Sequence, residues 1–339
     1  GFNPLNISNT DLRWEKSVEW GPGIDFGFMK NRFNMSLDYY VRRSKDLLLD
    51  QEIAAVTGFN VATVNIGEVK NSGFEVELGA RVISTSNISW NTSVNISKNV
   101  NELVDFAGAD GLITYVDSKR PGEYIALEGN PISSFYGYTY LKDIPNEWLN
   151  DPFYPINGKG QSVYVKDMDG DGLITPDDRT ILGSPYPKLV WGFNNSIRLM
   201  MFDLNFTVQG SHGAKTLNMD PQYWEKHFDS QMAYKSDFAD KDLVKPRILT
   251  DKCVQDASFV SLRSVNLGYN IPSRISSKIG INSSRIYISG QNIIYIMSDS
   301  YTSFNPEGVT EDDSPLRGGY QRGAAPVPKA VTMGITLNF

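Results

Sequence analysis

Asp167-Met168-Asp169-Gly170-Asp171-Gly172-Leu173-Ile174-Thr175-Pro176-Asp177-Asp178 is the segment whose residue types and spacing come nearest to a chemical device. Side-chain oxygens stand at its first, third and fifth positions, a glycine at the sixth, a carbonyl from Leu173 at the seventh and a carboxylate at the twelfth. This is the spacing of an EF-hand-type loop, which wraps oxygen ligands around calcium. It predicts a structural calcium ion on Asp167, Asp169, Asp171, Leu173 and Asp178. Two features depart from the pattern. Asp178 is one methylene shorter than the glutamate that usually reaches the ion with both oxygens, and Pro176 opposes an ordinary flanking helix. An acidic solvated turn that holds no ion would have the same composition.

Catalytic groupings are sparse. The chain has two histidines, His212 and His227, and no HExxH, GxSxG or GxxxxGK segment. His227 lies in Tyr223-Trp224-Glu225-Lys226-His227-Phe228, which reads as a surface-loop or partner-contact segment. With Tyr301 and Phe304 it offers aromatic platforms for a sugar ring or a peptide. No enzyme is expected.

The C-terminus, Thr332-Met333-Gly334-Ile335-Thr336-Leu337-Asn338-Phe339, ends on an aromatic, with an apolar residue two before it and a glycine five before. That order resembles the signal read by the outer-membrane barrel-assembly machinery, which would assign Gly334, Leu337 and Phe339 to it. An ordinary amphipathic strand is the plainer alternative.

Composition narrows the class. The chain has 339 residues, 40% hydrophobic, with 32 Lys plus Arg against 39 Asp plus Glu, a net charge of −7. Nucleic acid is therefore not an expected partner. A single cysteine, Cys253, cannot make an internal disulfide. No stretch approaches the ~18 apolar residues of a membrane helix. The chain starts at Gly1 with neither an initiator Met nor a signal segment, which reads as processing or truncation, the strands favouring truncation.

The elements that must position these residues are strands. Phe33, Met35, Leu37, Tyr39 and Val41 alternate with Asn34, Ser36, Asp38, Tyr40 and Arg42. Similar runs cover Ile88 to Ser97, Phe202 to Gln209 and Val331 to Phe339. Each has one apolar and one polar face. About nine strands are predicted, near 20–30, 31–44, 71–84, 87–99, 188–198, 201–211, 259–270, 285–296 and 329–339. Their length approaches the ~9–11 residues of a spanning strand.

Connections alternate between tight turns at Lys30-Asn31, Thr85-Ser86 and Leu199-Met200, with a moderate one at 271–284, and long loops at 45–70, 100–187, 212–258 and 297–328. Outer-membrane barrels show this asymmetry, with short periplasmic turns and long extracellular loops. Trp20, Trp90, Trp191, Tyr269 and Tyr295 are candidates for interfacial girdles. Asp38, Arg42, Glu75, Glu77 and Arg81 are expected to face the wet interior. Nine alternating strands leave the first and last running the same way, so further strands are expected elsewhere. The rival is a secreted or surface glycan-binding β-sandwich with calcium-ordered loops.

A wider set of residues resembles the SusC/RagA-like family of TonB-dependent outer-membrane transporters. It comprises Leu12-Arg13-Trp14-Glu15-Lys16-Ser17, Gly23-Ile24-Asp25-Phe26-Gly27, Asp38-Tyr39-Tyr40, Asp46-Leu47-Leu48, Asn71-Ser72-Gly73-Phe74-Glu75 and Ser134-Phe135-Tyr136-Gly137-Tyr138. Asp178-Arg179, Asp256-Ala257-Ser258-Phe259, Leu267-Gly268-Tyr269, Gln291-Asn292 and Asn305-Pro306-Glu307 complete it. The resemblance implies an all-β fold, a transmembrane antiparallel β-barrel of 22 strands, of which residues 1–339 would be the C-terminal nine. It also implies a plug domain and earlier strands outside this chain, a SusD-like surface lipoprotein as lid and energy drawn through the TonB complex. Outer-membrane lipid would surround the barrel of a Gram-negative bacterium, and oligosaccharides, glycans or peptides would be the imported nutrients.

Overall fold

Alternating side chains can satisfy two solvents at once only if the strands join into a sheet with every backbone group paired. The computed structural model has this arrangement. It describes residues 9–52, 61–65, 67–106, 111–116, 123–143, 162–172, 174–223, 232–234, 249–309 and 314–339.

Among the described residues the wall is a meander of nine strands. β1 runs Lys16–Trp20 and resumes at Gly23–Phe28; β2 is Phe33–Lys45, β3 Glu68–Ser84, β4 Ile88–Asp105 and β5 Leu189–Leu199. β6 is Phe202–His212, β7 Phe259–Ile271, β8 Ser283–Met297 and β9 Ala330–Asn338. Each pairs antiparallel with its sequence neighbours. Both parts of β1 pair with β2, Trp20 opposite Val41 and Gly23 opposite Asp38. They are one wall strand interrupted at Gly21-Pro22, because proline has no N–H to donate. Its carbonyl still accepts from Tyr39 N at 3.0 Å. The nine-strand expectation therefore holds, with the first strand starting four residues earlier than predicted. Among the described residues β1 and β9 are the two open edges.

β3 and β4 are 17 and 18 residues long. That exceeds a ~9–11-residue crossing, so their ends rise past the hydrocarbon. Ion pairs collect there: Glu68 takes Arg43 at 2.6 Å and Lys45 at 3.0 Å, and Lys70 meets Glu102 at 3.2 Å.

Register separates the faces. Ile24, Leu37, Val76, Ile96 and Trp191 form one cross-strand row. Asp25, Ser36, Glu77, Asn95, Gly192, Gln209, Ser261 and Tyr295 form the adjacent row on the opposite face. The apolar face is bare: Val331, Met333 and Ile335 are 65%, 75% and 65% exposed. A sandwich would bury this face against a second sheet, so the sandwich reading is set aside.

The opposite rim is built from the long connections. Strands Thr180–Gly183, Ser134–Gly137, Tyr124–Ala126 and Leu112–Thr114 form one small sheet; Val254–Asp256, Lys215–Asn218 and Tyr320–Gln321 form another. Tyr124, Phe135, Leu217, Met219, Leu249, Cys253, Val254 and Tyr320 make a buried core between them. A second core joins wall residues Val69 and Leu103 to Phe106, Ala126, Ile132 and Leu316, fastening the loops to the wall.

Candidate functional site

Period-two alternation puts Asp38, Arg42, Glu75, Glu77 and Arg81 on one face, opposite Glu75, Asn71, Asp38, Ser36 and Asn91 respectively. All five sequence-selected residues lie on the polar side. Arg42 pairs with Glu19 of β1, Nε to Oε2 at 2.7 Å. Tyr40 donates to Asn99 Oδ1 at 3.1 Å, and Asn71 Oδ1 accepts from the amides of Asn99 and Asn101. Nearer the short turns the same face becomes amide-rich, with Asn34, Asn91, Asn194, Asn205 and Thr207 lining a concavity beside Glu77 and Arg81. Such a surface exchanges hydrogen bonds with water or a polar solute.

The short turns are anchored from this end. Met29, Lys30 and Asn31 take left-handed φ values of 51°, 58° and 58°, uncommon for residues with a Cβ. Arg32 donates from Nε to the carbonyl of Arg81 at 3.0 Å, bracing the turn.

At the elaborated rim lies a buried polar network that pattern reading missed. Asp220 is 4% exposed and accepts from Ser303 Oγ at 2.6 Å and from Gly323 N. Asn218 donates to Gln255 Oε1 at 2.7 Å, and Gln255 donates to Thr302 Oγ1 at 2.9 Å. Tyr301 donates to Gln321 Oε1 at 2.8 Å, and Gln321 donates to the carbonyl of Asn305. These bonds join 213–258 to 298–329. The sequence signals within it were Tyr301, read as an aromatic platform, and the run Asn305-Pro306-Glu307.

Beside it, Tyr295 donates to Glu307 Oε2 at 2.8 Å and stacks on Phe259, centroids 5.2 Å apart. Arg263, the residue that β7 carries in excess of β6 at its bulge, lies over both rings and reaches Glu307. Tyr295 thus faces inward, whereas Trp20, Trp90, Trp191 and Tyr269 stay on the outer face. Tyr301, 6% exposed, is no platform, and Phe304 at 58% remains open. Trp224 to Phe228, including His227, lie outside the described residues. His212 accepts from Trp191 Nε1 at 3.0 Å on the outer face.

In the aspartate loop the carboxylates of Asp167, Asp169 and Asp171 place oxygens within 4.8 Å of one another. Asp167 accepts from Gly170 N at 2.6 Å and Gly172 N at 2.8 Å, and Asp169 from Asp171 N at 3.0 Å. Those of Gly172 and Gly170 hold the Asp167 carboxyl below its ordinary value. For Asp169 the Asp171 N–H lowers it, but desolvation and the charges of Asp171 and Asp178 prevail and raise it. The donors are hard oxygens that suit calcium. Asp178 is fully buried, its oxygens accepting from Met168 N and Thr175 N at 2.7 Å each. In this conformation it closes the loop and caps the turn Pro176–Asp178. Leu173 lies outside the described residues. Val165 and Ile174 pack the loop under Tyr138 and Tyr140.

At the C-terminus Gly334 pairs with Tyr287 on the polar face, Leu337 pairs with Ser284 on the apolar face, and Phe339 is exposed beyond β9.

Residues 1–293 match the family described as TonB dependent receptor-like, beta-barrel. TonB-dependent receptor P3 of Formosa agariphila is 31% identical over 98% of this chain and 35% of its own length. TonB-dependent receptor SusC of Bacteroides thetaiotaomicron is 27% identical over 98% of this chain and 32% of its own. The chain thus spans about a third of these relatives. Among solved structures, the RagAB peptide transporter superposes with a TM-score of 0.74 at 21% identity, covering 98% of this chain and 36% of that one. The chain belongs to the TonB-dependent receptor-like β-barrel family, whose members reside in the outer membrane of Gram-negative bacteria.

Proposed function

We propose that this chain supplies barrel wall and extracellular loops to an active importer of nutrients, either oligosaccharides and other glycans or peptides. It works with a plug domain and upstream strands completing a 22-stranded barrel, with a SusD-like surface lipoprotein as lid and with the TonB complex as energy source. The observation that carries the reading is the two-faced wall: bare aliphatic rows outside, and Asp38, Arg42, Glu75, Glu77 and an amide floor inside. Barrels of this size are plugged transporters rather than open pores. The polar face holds ion pairs and amides in hydrogen-bonded positions, which supports a conduit.

The test is deletion of the gene in its own host, followed by uptake of fluorescent oligosaccharides and of labelled peptides. Uptake of one class should fall and return with the full-length gene. Unchanged uptake of every polymer offered overturns the proposal.

A second reading concerns calcium at Asp167, Asp169 and Asp171, with Leu173 and Asp178 completing the shell. It is supported by the convergence of three carboxylates in a loop packed on the rim. Bound there, the ion would stiffen the loop. Calcium titration of the detergent-solubilised full-length protein should give a site in or tighter than the roughly 10⁻⁴–10⁻³ M range of extracellular modules, lost in Asp167→Asn. Identical titrations for the two proteins would end this reading.

A further inference from the structure

The alternation that sorts the two faces leaves one ambiguity. A one-residue slip of β9 along β8 turns every apolar side chain inward and is forbidden by solvation. A two-residue slip keeps both faces correct and costs only end pairs. Something other than polarity must choose among even registers.

The polar face of β9 carries Thr332, Gly334, Thr336 and Asn338, of which only Gly334 lacks a Cβ. Opposite it stands Tyr287. A Cβ at Gly334 would lie 2.5 Å from both Cζ and Oη of that ring, so the phenol occupies the space a side chain would need. The ring is not free to swing away without loss. The Arg285 guanidinium lies 5.1 Å from its centroid, and Arg285 is forked onto Asp203.

The other neighbour of β8 repeats the device. On the polar face of β7, Gly268 lies between Asn266 and Asn270, and a Cβ there would meet the Arg285 guanidinium at 2.6 Å or less. Two stacked side chains of β8 therefore each cover the one glycine that the adjoining strand provides near them.

We infer that Tyr287 and Gly334 form a ring-and-socket key that fixes the register of the terminal strand, with Arg285 and Gly268 as its counterpart on β7. A two-residue slip in either direction puts Thr332 or Thr336 under the Tyr287 ring. The glycine of the C-terminal signal is thus read by the chain's own fold, whatever else reads it. This inference is independent of the cargo.

The test uses the full-length protein in its own outer membrane. The readout is the fraction that migrates as a compact, heat-modifiable barrel and the register of β9. Gly334→Ala should lower the compact fraction several-fold. Tyr287→Ala should lower it less, because removing the ring leaves a gap but no clash. The double variant should return to the level of Tyr287→Ala alone. Cysteine pairs report register directly: Ser289→Cys with Thr332→Cys should cross-link in the parent. Moving the socket, with Thr332→Gly and Gly334→Thr together, should shift the cross-linking to Ser289→Cys with Ala330→Cys. Full assembly of Gly334→Ala, or a double variant no better than Gly334→Ala, overturns the inference.

Discussion

Arg285 reaches from β8 across β7 to Asp203 on β6, its Nε 3.0 Å from Oδ1 and a terminal nitrogen 2.5 Å from Oδ2. Asn270 donates to the same carboxylate at 2.9 Å, and Asn266 accepts from the guanidinium. Planar bidentate pairing makes this stronger than a surface ion pair, and both groups are more than half buried. Asp203→Ala should cost about 1–2 kcal/mol and lower the temperature at which the compact barrel is lost. Adding Arg285→Ala should cost less than the sum of the two single changes, since no charge is then left unpaired.

Leu78 and Glu77 are sequence neighbours on opposite faces, Leu78 opposite Met35 and Glu77 opposite Ser36. Leu78→Lys places an ammonium against lipid and should cost about 2–4 kcal/mol if it lies near mid-membrane, less toward an interface. Glu77→Lys stays in the wet interior and should assemble normally. Outer-membrane yield of the two variants checks the facing; equal yields would refute it.

Asp220 takes two hydrogen bonds in the buried rim network. Asp220→Ala leaves Ser303 and the Gly323 N–H without that partner, at about 1–3 kcal/mol. Limited proteolysis should cut 298–329 faster in the variant while the wall remains intact.

Asp256 shows a dependence on pH. Burial alone would raise its pKa, but hydrogen bonds from Ser258, with Lys215 and His212 nearby, bring it below the ordinary value. Its folded pKa being lowered, the stability it contributes is full above the unfolded aspartate value, near ~3.9. That stability is lost as pH falls through the folded value. Thermal melts should show Asp256→Asn less stable than the parent at pH 7, with the difference shrinking as pH drops below 4.

Tyr295 shows where residue type misleads. Read as an aromatic at the end of a strand, it belongs to an outer girdle. Alternation along β8 from Arg285, Tyr287, Ser289 and Gln291 puts it on the inner face instead, opposite Ser261. The phase change falls on β7, where the bulge at Arg263 turns Leu262 outward and Ser261 inward. Bulges add one residue to one strand and shift every later side chain relative to its partner, and no local residue pattern announced this one. The strand predicted near 20–30 ran through Gly21-Pro22 without a break, and pairing with β2 shows the interruption and the continuation of β1 on both sides of it.

The sequence by itself determined the two-faced wall, its number of strands, the short and long rims and the polarity of Asp38, Arg42, Glu75, Glu77 and Arg81. Each follows from period-two alternation and turn residues, which act over a few positions. Tertiary structure alone decided what lies between distant segments: the Asp220 network across 83 residues, the use of Asp178 as a cap, and the seating of Tyr287 over Gly334. Those contacts depend on register and on the space left by a missing Cβ, quantities that exist only once strands far apart in sequence stand side by side.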